Sequence, residues 1–96
     1  MTILEAEVAP DRVDELERLY REATAVLPTG IVETFLVRSS RAPDVFRIIT
    51  VWADRAALAA MRASGETPKG VQIFQSVGAG PELTVFEVAH RAASRR

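Results

Sequence analysis

The 96-residue chain carries few side chains suited to chemistry, and most of them stand on apolar stretches. Trp52, the single tryptophan, ends a β-rich run. A buried indole N–H must find an acceptor, and in an apolar pocket it can hold a carbonyl or phenolate oxygen; the other use of such a residue is plain packing. Tyr20, the single tyrosine, lies on the apolar stripe of a predicted helix. It is either a core residue with its hydroxyl at the rim or a donor into the same space as Trp52. Thr34 and Thr50 are small polar groups on otherwise apolar strand faces, and either can instead satisfy nearby backbone. His90 is the only histidine, so no histidine dyad or multi-histidine metal site can form within one chain. It is a solvated strand end or a base at the pocket mouth. Arg38 and Arg47 suit an acidic ligand, while Arg47 is better suited to an ion pair with Glu5, Glu7 or Glu87 across the dimer face. The absence of cysteine removes disulfides, thiolate chemistry and cysteine-held metals. There is no glycine-rich phosphate loop and no Ser/His/Asp set, so we expect neither a metal nor a cofactor.

Composition narrows the partners. The chain is of single-domain length, and 48% hydrophobic with 26% charged residues is ordinary for a globular fold rather than disorder. A formal net charge of −1 gives no electrostatic reason to bind nucleic acid or an anionic membrane. No 18-residue apolar run and no leader pattern is present, which predicts a cytoplasmic protein. We place one domain over residues 1–90 and a solvated basic tail, with Arg91, Arg95 and Arg96, over residues 91–96.

These side chains must be positioned by a small number of elements. Ile3–Val8 alternates as a strand. Pro10, Asp11 and Asp14 open a helix whose apolar stripe runs Val13, Leu16, Leu19, Tyr20, Ala23, Val26 and Leu27, and which Pro28 and Gly30 stop. Ile31–Ser39 and Val45–Trp52 are strands joined by a short link containing Pro43, as in a hairpin. Asp54 caps a helix carrying Ala57, Leu58 and Met61, closed by Gly65. Thr67-Pro68 starts a further short helix with Val71, Phe74 and Val77; the same run also alternates passably as a strand. Leu83–Ala89 is the last strand.

The order β-α-β-β-α-(α)-β is that of a ferredoxin-like, split βαβ, α+β fold: an antiparallel sheet with its helices on one face. Even positions, Leu4, Ala6, Val8, Val32, Leu36, Phe46, Ile48, Trp52, Phe86 and Val88, are assigned to the helix-covered core. Odd positions place Ile3, Ile31, Phe35, Val37, Val45, Ile49, Val51, Leu83 and Val85 on a face that no helix covers. A patch of that size predicts a homodimer through the open sheet face.

The strand Phe46-Arg47-Ile48-Ile49-Thr50-Val51-Trp52, the cap Ala53-Asp54 and the helix Arg55–Ser64 resemble the antibiotic biosynthesis monooxygenase family of the dimeric α/β-barrel superfamily. A strand ending in Trp followed by a capped helix with Ala-Leu in its first turns is typical of it, and the resemblance spans the chain. It implies a cofactor-independent monooxygenase that oxidises a small aromatic, polyketide-like or quinol, with oxygen; other members cleave haem, isomerise or only bind small molecules. Trp52 matches the family tryptophan that lines the substrate pocket. Haem-cleaving members use a histidine where this chain has Met61 and an asparagine from the first strand, and this chain has no asparagine. Some quinone-forming members have an asparagine at the place of Ile48.

The resulting expectation is a pocket between sheet and helices with Trp52 and Tyr20 as catalytic residues. Ile48, Met61, Thr50, Phe86 and His90 line it and bind a small apolar or aromatic ligand. A non-catalytic homodimer that binds a small molecule in the same pocket is the alternative, and a fully packed interaction module is a third.

Overall fold

The computed structural model describes residues 1–94; Arg95 and Arg96 of the basic tail lie outside the described residues. Four strands, β1 (Thr2–Glu7), β2 (Ile31–Arg38), β3 (Val45–Trp52) and β4 (Glu82–Val85), form one antiparallel sheet in the order β2-β3-β1-β4. Three helices, α1 (Val13–Ala23), α2 (Arg55–Ala63) and α3 (Lys69–Ser76), accompany it. The fold is the ferredoxin-like α+β arrangement that the element order implies. Residues 71–76 are helical, with Val77 as the cap, because Pro68 starts α3 and Gly78, at φ +77°, ends it.

The core lies between the sheet and the pair α1 and α3. Leu16 of α1 and Phe74 of α3 are fully buried against Val8, Ala6 and Phe46. The two helices are tied at this end by Arg12, whose Nη2 donates to the Ser76 carbonyl at 2.9 Å. Helix α2 buries no residue of its own. It is held at its start by Asp54, whose Oδ1 accepts from the Ala57 N–H at 2.8 Å, and by the turn at Gly30. Gly30 has φ +96°, its carbonyl accepts from the Ala53 N–H at 2.8 Å, and a Cβ there would lie 2.9 Å from the Ala57 Cβ. Gly70 permits a second close approach, since a Cβ on it would lie 2.6 Å from Leu4 Cδ1.

Several boundaries and faces differ from the sequence expectations. Helix α1 ends at Ala23 instead of Leu27, and Val26 is 84% exposed. Pro28 would clash with the carbonyl of Thr24 in a continuing helix and turns Leu27 away from helical backbone. The Thr24 hydroxyl donates to the Tyr20 carbonyl at 2.8 Å, finishing the last turn.

In β2 a bulge between Ile31 and Glu33 sets Ile31 opposite Trp52, so Ile31 faces the helices while Val32 is exposed. In β4 the parity is opposite to expectation. Leu83 pairs with Leu4 and Val85 with Thr2, which puts Leu83 and Val85 on the helix side. Both parities of that segment are apolar, so the hydrophobic pattern did not choose a face. The strand also stops at Val85. Beyond it, Phe86 pairs with Met1, its N–H donating to the Met1 carbonyl at 2.7 Å and its carbonyl accepting from the Met1 amino group at 2.9 Å. Phe86, Val88 and His90 are exposed rather than part of the core.

The open face thus carries Ile3, Phe35, Val37, Val45, Ile49 and Val51, without Ile31, Leu83 or Val85. Arg47 pairs within the chain, its Nη2 lying 2.6 Å from Glu5 Oε1 on this face.

Gly30→Ala forces a side chain into left-handed backbone against Ala57. It should cost about 1–3 kcal/mol and lower the denaturation midpoint with an unchanged denaturant slope. An unaltered midpoint would show that the turn does not constrain α2.

Candidate functional site

The packed core fills one end of the space between helices and sheet. At the other end, beyond the last turn of α1 and the first of α3, a cavity of ≈ 370 Å³ remains. Its floor is the sheet around Ile48, Thr50 and Trp52 of β3. Its walls are Tyr20 and Ala23 of α1, Ala57 and Met61 of α2, Gly70 and Ile73 of α3, and the connecting segments with Leu27 and Pro28. The early stop of α1 is what leaves this room.

A row of hydroxyls crosses the floor. Thr34, Thr50 and Thr2 are consecutive cross-strand partners of β2, β3 and β1, so their side chains share the helix-covered face, and all three border the cavity. The outer two are engaged by the two aromatic residues. The Trp52 indole Nε1–H donates to Thr2 Oγ1 at 3.2 Å, and the Tyr20 hydroxyl donates to Thr34 Oγ1 at 3.1 Å. Among the described residues, the Thr50 hydroxyl has no side-chain or backbone partner.

Five of the seven residues expected at the site therefore border one cavity: Trp52, Tyr20, Ile48, Met61 and Thr50. Phe86 and His90 do not. Phe86 is 44% exposed, and His90 follows it in an exposed segment past the end of β4. The two aromatic donors are also not free, since each already serves a threonine. Arg38 is occupied elsewhere, donating to the Pro43 carbonyl at 2.7 Å with its guanidinium 5.2 Å from the Phe46 ring centre.

Much of the border was not expected from the sequence, and its polar members include Thr2, Glu66 and Lys69. Thr2 shares the parity of Leu4 and Ala6, which was a usable signal. Glu66 and Lys69 lie in and beside the loop between α2 and α3, and no periodicity marks them. Among the described residues, no group of three His, Asp or Glu side chains is placed to hold a metal ion, and no helix is long and apolar enough to cross a membrane.

Such a site, sunk between an antiparallel sheet and its helices, is a cavity on a ferredoxin-like scaffold. The sequence matches the model of the family described as antibiotic biosynthesis monooxygenase over residues 1–88, and the chain belongs to that family. Solved structures agree in fold. An asparagine-to-alanine variant of SnoaB, a cofactor-independent oxygenase from Streptomyces nogalater, matches with TM-score 0.67 at 18% identity, over 97% of this chain and 96% of that one. A candidate antibiotic biosynthesis monooxygenase from Deinococcus radiodurans matches with TM-score 0.67 at 16% identity, over 100% of both chains. A conserved protein of unknown function from Bacteroides thetaiotaomicron matches with TM-score 0.67 at 23% identity, over 91% of this chain and 94% of that one. No curated protein matches the sequence.

Thr2→Val leaves the indole N–H without its acceptor. The expected cost is about 1 kcal/mol, with Trp52 emission moving to shorter wavelength as its polar partner is lost. An unmoved spectrum would mean that this hydrogen bond does not persist in solution.

Proposed function

We propose that this chain is a cofactor-independent monooxygenase, acting as a homodimer on a small aromatic, polyketide-like or quinol, substrate held in the cavity. The observation that carries the reading is an apolar cavity of ligand size beside Trp52 in a member of a monooxygenase family. Binding there removes the substrate from water and sets its oxygens over the threonine row, where hydroxyl donors favour the ionised form. The ionised ring is electron-rich enough to reduce oxygen itself. For a ring methylene oxidised to a carbonyl, the carbon supplies four electrons, one oxygen atom becomes the new carbonyl and the other leaves as water. Trp52 presents its ring as a packing surface and Tyr20 holds Thr34. The first proton passes to water, because His90 stands outside the cavity wall.

One observation favours binding without turnover. The indole and phenol donors are both satisfied within the protein, which is what a passive pocket needs. Oxygen consumption separates the two readings. With a panel of anthrones and quinols, the oxygenase takes up oxygen at a rate proportional to protein and yields the quinone. A ligand that quenches Trp52 but consumes no oxygen above the protein-free rate identifies the passive pocket.

The dimer reading rests on the open face, where Phe35 is 44% and Val37 38% exposed beside Ile3, Ile49 and Val51. A second sheet packed face to face buries them. Light scattering at micromolar concentration should report twice the chain mass. Phe35→Asp should give a folded monomer, since burying an unpaired carboxylate there costs several kcal/mol. A wild-type monomer would overturn the dimer.

A further inference from the structure

We infer that Thr50, flanked by Thr2 and Thr34, is the group by which the cavity recognises an acceptor oxygen on an otherwise apolar ring. Trp52 and Tyr20 are then positioning residues that prepare the flanking hydroxyls. This rests on the cavity being the ligand site.

The inference follows from how the hydroxyls are wired. An indole N–H only donates, so its bond fixes Thr2 Oγ1 as an acceptor. The Tyr20 phenol, the more acidic of the two hydroxyls and so the better donor, lies 3.1 Å from Thr34 Oγ1 and gives Thr34 the same role. Each of these threonines keeps its own hydrogen, and among the described residues neither donates it to another group. A hydroxyl that is already accepting is polarised into a better donor. The middle hydroxyl, on Thr50, has no partner at all. Neighbouring strands lie about 4.8 Å apart, so the row presents three donor hydrogens along a line of roughly twice that length. Threonines placed only for strand propensity face water or bond to nearby backbone, whereas these face a largely apolar cavity.

The row therefore selects by chemistry as well as by shape. A ketone or ionised phenol oxygen above Thr50 receives a hydrogen bond without displacing one made by the protein. A ring of the same size lacking that oxygen leaves the donors unmatched. Glu66 and Lys69 stand at the border of the cavity, away from the row in sequence and on a different wall, and take no part in this discrimination.

The test compares two probes of one skeleton, 1-tetralone with its ketone and tetralin without it, titrated by calorimetry and by Trp52 fluorescence. Wild-type protein should bind the ketone about threefold to tenfold more tightly, the worth of one hydrogen bond. Thr50→Val keeps the volume and β-branching, and should abolish that ratio while leaving tetralin binding within a factor of two. Trp52→Phe, followed by calorimetry, should reduce the same ratio, which loss of packing alone would not move. Equal affinities for the two probes in wild type, or equal weakening of both by Thr50→Val, overturn the role of the row and leave the cavity standing. Failure of both probes to bind overturns the cavity reading and the row with it.

Discussion

The helices are shorter than the central strands they must cover, and the rest of the architecture follows from that mismatch. Strand β3 has 8 residues, which is roughly 26 Å at about 3.3 Å per residue. Helix α1, with 11 residues, covers roughly 16 Å, and α3, with 8, roughly 12 Å, at about 1.5 Å each. Aligned at the end where Leu16, Phe74 and Phe46 pack, they leave the far end of β3 without a helix lying on it. A dense core can form only at the covered end. The uncovered end is roofed at a distance by α2 and by the segments around Pro28 and Pro68, and a roof at a distance encloses space. Pro28 bars α1 from extending over that end.

Two glycines and two hydrogen bonds set the elements around that cavity. Gly70 lets α3 come down onto Leu4 and closes the boundary between core and cavity. Gly30 takes a backbone conformation that side chains resist and brings α2 against the end of β3. Across the open volume, Trp52 and Tyr20 each spend their polar atom on a threonine of the floor. Their rings are held in place from both ends, and no buried side-chain donor or acceptor among the described residues is left without a partner. The ion pairs of the surface, such as Arg55 with Glu87, are exposed and contribute little to this order.

Much of the fold could be read from local signals because each has a local cause. The cap at Asp54, the proline before α3 and the helical stripe from Val13 to Ala23 are decided within a few residues of themselves. The faces of the strands are less local. Parity counted along the chain holds across a turn only when the ladder is uninterrupted. The bulge after Ile31 interrupts it in β2, and the register of β4 against β1 is chosen by pairing that lies some eighty residues away in sequence. The apolar character of both faces in 83–88 left that choice to the tertiary structure.

The same division runs through the site. Sequence alone determined the element order, the exclusion of cysteine chemistry and of histidine pairs within one chain, and the placing of Ile48, Thr50 and Trp52 on one strand face, since alternation and composition are properties of the chain itself. Only the tertiary structure brought Thr2 and Thr34 beside Thr50, turned the indole and phenol donors onto them, and removed Phe86 and His90 from the wall. Those outcomes depend on which strands become neighbours, where a ladder runs out and where a proline ends a helix above the sheet. They are settled by contacts between segments far apart in the chain.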